Sequence, residues 1–244
     1  MLYLIGLGLY DEKDVTLRGL ETAKSCQEVY IELYTSKWLG KANLEKLLGR
    51  KIVELERKDL EEGSAKIIEE ARMKDIAILV PGDPLSATTH IILVSEAQQK
   101  GVDIRIVHAP SIFSAVAATG LSLYKFGKTC TIPREQDGYA PTSFYDVIVE
   151  NLRTGSHTLV LLDIGDSPMT VREALERLDA AEKEHKKGVM RADMMLVAAH
   201  FGETETILYT DSAKLQTVNL PTPSVLVVPA DLNDVEKELL ESKR

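Results

Sequence analysis

The chain has 244 residues, with 29 Lys and Arg against 38 Asp and Glu and a formal net charge of -9. At roughly 100–200 residues per domain this is one large domain or two compact ones, and the acidic balance argues against a general nucleic-acid binder. With 44% hydrophobic and 27% charged residues the composition excludes a disordered chain. The two cysteines, Cys26 and Cys130, make neither a disulfide framework nor a metal-ligand pair and read as core fillers of a protein in a reducing compartment.

Leu2 to Leu7 is a nearly continuous apolar run closed by glycines, the pattern of a strand buried on both faces of a parallel sheet. Met1 to Ile5 is too short and lacks the basic lead of a signal sequence, and no apolar run reaches the ~20 residues of a membrane span, so the expectation is a cytoplasmic protein. Thr16 is placed to cap a helix with Leu17, Leu20 and Ala23 at helical spacing, and Glu28 to Tyr34 reads as the next strand. Lys37 to Leu48 predicts a helix and Lys51 to Leu55 a short strand. Glu61 to Lys74 predicts a helix with Ala65, Ile68 and Ala71 on one face, leading to the strand Ile76 to Val80. His90 to Lys100 is helical, closed by Gly101, and Val102 to His108 is a strand. This repetition argues for a mostly parallel α/β layer.

A domain crossover is expected near Pro110, giving domains 1–110 and 111–244. The second half predicts a helix over Ser143 to Leu152, a strand over Thr158 to Ile164 and a charged helix from Thr170 to about Lys187. Strands at Met194 to Phe201, Glu205 to Thr210 and Ser224 to Val228 follow, with a hairpin among them and therefore a mixed sheet. Asn233 to Ser242 closes the chain as an amphipathic helix.

Gly6-Leu7-Gly8 follows a strand, but no third glycine comes and Asp11 and Glu12 would sit badly beside a pyrophosphate. A tight strand-end turn shaping a pocket wall fits better than a dinucleotide loop. Pro81-Gly82-Asp83-Pro84 stands at the end of the strongest strand, where open α/β sheets place their ligand crevice, with a plain turn as the lesser alternative. Ser86 to His90 is a small, hydroxylated run that lets a ligand approach the backbone. Five scattered histidines show no metal-ligand spacing, and His90 reads as a locally satisfied helix-start residue. Lys125 and Lys128 read as solvated loop charges, with holding a carboxylate as the alternative. Glu182 to Lys187 reads as the polar end of an exposed helix.

Gly6-Leu7-Gly8-Leu9-Tyr10-Asp11-Glu12 with Asp14 and Thr16, the Pro81 to His90 loop, and His108-Ala109-Pro110-Ser111-Ile112 together resemble the diphthine synthase family. Thr119-Gly120-Leu121, Tyr124 to Lys128, Pro141 to Ile148 and His157 to Ile164 extend the likeness along essentially the whole chain. These enzymes belong to the tetrapyrrole-methylase-like methyltransferases, whose first loop often reads Gly-x-Gly-Pro-Gly; Leu9-Tyr10 in place of Pro-Gly favours the diphthine branch. The resemblance implies two α/β domains, the N-terminal sheet mostly parallel and the C-terminal one mixed, with S-adenosylmethionine in the cleft between them, and a homodimer without membrane or nucleic-acid partners. It also implies elongation factor 2 as substrate, an aminocarboxypropyl-histidine of which is methylated on its amino group to form diphthine in diphthamide biosynthesis. Carried over by similarity, the cofactor-binding residues are Leu9, Asp83, Ser86, Ser111, Ile112, Leu162, Phe201 and Asn233. Departures fall at the last two, since the family usually has a small residue where Phe201 stands and Leu-His where Leu232-Asn233 stands.

Methyl transfer from a sulfonium is an in-line displacement that needs positioning and exclusion of water rather than a covalent catalyst. No metal and no indispensable general base are expected, and Asp83 either contacts the cofactor or caps the following helix. A porphyrinoid methyltransferase and a non-catalytic cofactor sensor are the rival readings.

Overall fold

The computed structural model describes residues 1–136, 138–165, 167–190 and 193–244, and the chain divides into two units, Met1–Ala115 and Val116–Arg244. The first unit runs β1 (Leu2–Gly6), α1 (Leu17–Ser25), β2 (Glu28–Glu32), α2 (Lys41–Leu48), β3 (Val53–Leu55), α3 (Arg57–Glu61), α4 (Ser64–Glu70), β4 (Ile76–Val80), α5 (Ile91–Gln99), β5 (Ile104–Val107) and α6 (Ile112–Ala115). Its five strands form a sheet in the order β3-β2-β4-β1-β5, every pair parallel. The period-2 alternation of side chains sorts the apolar runs onto two faces. Leu2, Leu4, Ile76, Ile78 and Val80 pack with Leu60, Ile67, Ile68, Leu93 and Ala97 of α3, α4 and α5. Ile5, Val29, Ile31, Ala77 and Leu79 pack on the other side with Ala23 and Leu44 of α1 and α2. Helices on both faces explain why β1 and β4 carry no polar residue to face water.

Thr16 caps α1, its Oγ1 accepting from the Gly19 amide at 3.0 Å. The helix expected over Glu61 to Lys74 is the shorter α4, preceded across Gly63 by α3, which was not expected. The first unit also keeps Ser111 to Ala115, placed beyond the boundary by sequence, where the amides of Ser114 and Ala115 bond to the Ser111 carbonyl and form the turn of α6.

The second unit runs β6 (Cys130–Ile132), α7 (Ser143–Arg153), β7 (Thr158–Leu162), α8 (Val171–His185), β8 (Met195–His200), β9 (Thr206–Asp211), α9 (Ser212–Leu215), β10 (Val225–Val228) and α10 (Asp234–Glu241). Its sheet order is β6-β7-β10-β8-β9. Only β6 and β7 pair in parallel, and β8 and β9 form the expected hairpin, in register from Met195 opposite Asp211 to His200 opposite Thr206. Tyr145 and Ile148 of α7 and Ala174, Leu175 and Leu178 of α8 pack with Val160, Leu196 and Leu226 of the sheet. Both cysteines are buried and unpaired; burial pushes the Cys26 thiol up to about 11 and Cys130 up to about 12, so both stay protonated. Among the described residues no helix is long and apolar enough to cross a membrane.

Candidate functional site

Three turns meet at the carboxyl edge of the first sheet, where β4, β1 and β5 are neighbours, and this edge is where open α/β sheets bind ligands. Gly6 allows the approach, because a Cβ there would lie 2.6 Å from the Ala109 Cβ and 2.7 Å from the Gly82 carbonyl oxygen. The chain beyond β1 is then tied to the chain beyond β4 by main chain alone: the Gly8 amide donates to the Gly82 carbonyl at 3.2 Å and the Gly82 amide to the Gly8 carbonyl at 2.7 Å. Gly8 has φ +78°, and a Cβ on it would strike the Asp14 Cβ at 2.3 Å. Asp14 in turn accepts the Leu9 amide at 3.1 Å and the Tyr10 amide at 2.8 Å. The sequence pair Gly6 and Gly8 is thus a turn fastened from both sides.

Asp83, only 7% exposed, is the hub of the second turn. Its Oδ1 accepts from the Leu85 amide at 3.0 Å and the Ser86 hydroxyl at 3.3 Å. Its Oδ2 accepts from His108 Nδ1 at 2.7 Å and the Ala109 amide at 3.4 Å. Burial pushes this carboxyl up, but the Leu85, His108 and Ala109 donors outweigh it and hold it below the usual carboxylate value. With about four lone-pair positions on a carboxylate, Asp83 is saturated from within the unit, so a ligand reaching it must displace Ser86 or Ala109, the two longest bonds. Capping, one of the two expected roles, is ruled out by distance along the chain, since α5 starts only at Ile91. Ala87, one residue beyond Ser86, has φ +57°, a left-handed conformation costly for a residue with a side chain.

Ser111 is buried beside the second turn: a Cβ on Gly82 would meet only the Ser111 Cβ, at 3.9 Å. Ile112 opens α6. Leu9, Asp83, Ser86, Ser111 and Ile112 are therefore gathered on one sheet edge. Sequence reasoning missed His108, which fastens Asp83 from the end of β5.

In the second unit Leu162 ends β7 and Phe201 follows β8. Both strands are antiparallel to β10, which lies between them, so the two residues share one sheet edge about 10 Å apart. The sheet does not bring Asn233 to that edge. β10 runs the opposite way, from Val225 beside Leu161 and Ala199 to Val228 beside Thr158, and its continuation puts Asn233 at the far edge. There Asn233 caps α10, its Oδ1 accepting from the Glu236 amide at 2.9 Å while Glu236 Oε2 accepts the Asn233 amide at 3.0 Å. Its side chain already has a structural role.

Glu236, 2% exposed, also accepts from Lys125 Nζ at 2.6 Å, from the Ser122 amide at 3.1 Å, and lies 3.2 Å from His157 Nε2. Burial works against the ionised form, yet Lys125, Asn233 and Ser122 overcome it and hold the carboxyl down at about 2. Lys125 is thus not a solvated loop charge, whereas Lys128 is one as expected, 65% exposed and meeting the exposed Glu150 at 2.8 Å on the surface.

A cavity of about 250 Å³ opens beside β2 and α5, lined by Tyr34, Leu60, Glu61, Thr89, His90, Ile92 and Leu93. His90 is 3% exposed and neither ring nitrogen meets hydrogen-bond geometry, nor does the buried Tyr34 hydroxyl. It is therefore not the locally satisfied residue expected from sequence, although it does stand at the start of α5. Burial lowers its pKa, with the nearby Pro84 carbonyl opposing. Behind it, at 4.0 Å, lies Glu32, which is fully buried. Desolvation raises this carboxyl to about 7 despite its bonds from Thr35. Among the described residues no cluster of His, Cys, Asp and Glu is arranged to hold a metal.

Residues 1–192 match the tetrapyrrole (corrin/porphyrin) methylases, and the chain belongs to that family of methyltransferases. Within it, the chain is 42% identical to the diphthine synthase of Methanocaldococcus jannaschii, over 99% of this chain and 98% of that one. It is 38% identical to the diphthine methyl ester synthase of Schizosaccharomyces pombe, over 99% and 94%. A crystal structure of a diphthine synthase matches at a TM-score of 0.89 and 38% identity, covering 99% of this chain and 95% of that one.

Proposed function

We propose that the protein transfers a methyl group from S-adenosylmethionine to the amino group of an aminocarboxypropyl-histidine of elongation factor 2, forming diphthine. The observation that carries this reading is near full-length similarity to diphthine synthases, combined with the convergence of the Leu9, Asp83 and Ser111 turns on one sheet edge. The residues there suit the donor: beside Gly82 an added Cβ meets nothing closer than 3.9 Å, so a ligand can lie against the backbone. Leu9, Asp83, Ser86, Ser111 and Ile112 would hold it in the first unit, and Leu162 and Phe201 line the corresponding edge of the second. Bound there, the donor supplies an electrophilic methyl group. The chain's part is to orient the acceptor in line with that methyl and keep water from it. The protein would work in the cytoplasm as a homodimer, with elongation factor 2 as its partner.

Incubation with isotopically labelled S-adenosylmethionine and modified elongation factor 2, followed by mass spectrometry of the factor, tests the assignment. Label on the side-chain amine, stable to mild alkali, is the expected result. Label removed by alkali would indicate a carboxylate ester, a reading favoured only by the likeness to the S. pombe methyl ester synthase. Label on a uroporphyrinogen-type acceptor instead would replace the assignment with a porphyrinoid one, and donor binding without transfer to either would make the protein a sensor.

A further inference from the structure

Of the histidines, His157 and His185 use ring nitrogens on Glu236, Ala230 and Thr142, His200 bonds the Pro223 carbonyl, and His90 is sealed. His108 differs. Its side chain is 70% exposed, and it stands at the end of β5 where the three turns meet. We propose that His108 accepts the proton released by the acceptor amine, with Asp83 fixing the ring; this rests on the methyltransferase reading above.

The geometry supplies the parts. Asp83 Oδ2 accepts Nδ1–H at 2.7 Å, which leaves the Nε2 lone pair outward, and no described residue bonds Nε2. Asp83 is saturated by its other donors, so it cannot swing away from the ring, and an oriented carboxylate–imidazole pair is the arrangement used elsewhere for general bases. An ammonium acceptor cannot attack until one N–H bond breaks. That proton passes to Nε2, giving an imidazolium balanced by the Asp83 carboxylate. The nitrogen lone pair then forms the N–CH3 bond as the methyl–sulfur bond breaks, its electron pair staying on sulfur. The exposed imidazolium returns its proton to water. A second and a third methylation each release one more proton, and the quaternary product has none left to give.

His108→Gln and His108→Ala test this. At pH 7 kcat is expected to fall about tenfold in both, because an α-amino group of pKa ~8 is only about one-tenth neutral there without a base, while the melting temperature and the Kd for S-adenosylmethionine move no further than in Asp83→Asn, which loses the same bond. The deficit should shrink at pH 9, because an unperturbed α-amino group has a pKa near ~8 and loses its proton to solvent. Added imidazole should rescue His108→Ala. In the protein without donor, 15N NMR at pH 8 should show Nε2 unprotonated and Nδ1 protonated, a preference lost in Asp83→Asn. Wild-type kcat in either variant at pH 7, or an equal deficit at pH 7 and pH 9 without imidazole rescue, overturns the proposal and leaves the methyltransferase reading standing. Failure of the wild-type protein to methylate modified elongation factor 2 removes both, while the tautomer measurement still reports on the pair itself.

Discussion

Asp83→Asn separates fastening a turn from gripping a ligand. The amide keeps one acceptor oxygen but presents an NH2 where the carboxylate had its second oxygen. If the oxygen stays on the Leu85 amide and the Ser86 hydroxyl, the NH2 faces the His108 ring and the Ala109 amide, itself a donor at 3.4 Å. A bond to a charged group is worth about 1.5–3 kcal/mol. The exposure of His108 puts its loss near the lower end, and the donor–donor clash with Ala109 adds about 0.5 kcal/mol. A total of about 2 kcal/mol corresponds to roughly 4–8 °C in melting temperature for a chain of this size. If about 1 kcal/mol of that is preorganisation of the turns, the Kd for S-adenosylmethionine rises about fivefold. Differential scanning calorimetry and isothermal titration on the same preparations measure both. An unchanged melting temperature with abolished binding would refute the reasoning, since Asp83 would then act on the ligand and not on the turn. No change in either would refute it as well.

Other perturbations probe the remaining features. The Glu32 carboxyl, raised to about 7 in the folded state, binds its proton more tightly there than in the unfolded chain, so its contribution to stability is lost as pH rises from about 4.5 through about 7. The span is worth about 3 kcal/mol; urea unfolding at pH 5 and pH 8 should show Glu32→Gln gaining on the wild type by that amount, and a pH-independent difference would contradict the burial argument. Lys125→Met strips the cation from the buried Glu236 and should cost about 2 kcal/mol, below the usual figure for a buried pair because Lys125 is partly exposed. Adding Glu236→Gln should recover part of the loss. Glu236, held at about 2, stabilises above the unfolded carboxyl value and loses that contribution as pH falls through about 2. Gly8→Ala should cost at least about 2 kcal/mol through its clash with Asp14 and its positive φ. Gly49→Ala, with φ +69° but nothing within 4 Å of an added Cβ, should cost about 1 kcal/mol.

The first sheet was legible because β1 and β4 are buried on both faces and therefore read as unbroken apolar runs. β6 was not, since Cys130–Ile132 is three residues long and carries no period to detect; α3, only five residues long, was missed for the same reason. The turns at Leu9, Asp83 and Ser111 were legible from glycine, proline and small residues. What sequence could not supply was who bonds whom. His108 meets Asp83 across 25 positions and Lys125 meets Glu236 across 111, and only the strand order brings these pairs together. Strand direction likewise decides that Asn233 lies away from Leu162 and Phe201, which no local pattern encodes.

The fastening of the first turn bears on how loops of this family diverge. Because Gly8 and Gly82 are joined through their peptide groups, side chains nearby can change without redirecting the backbone. The amide at position 9 is an exception: it donates to Asp14 at 3.1 Å, and proline, which has no amide hydrogen, would forfeit that bond. A relative with Pro-Gly after the second glycine must anchor its loop through other atoms, so an exchange of Leu9-Tyr10 for Pro-Gly would demand compensation around Asp14 as well.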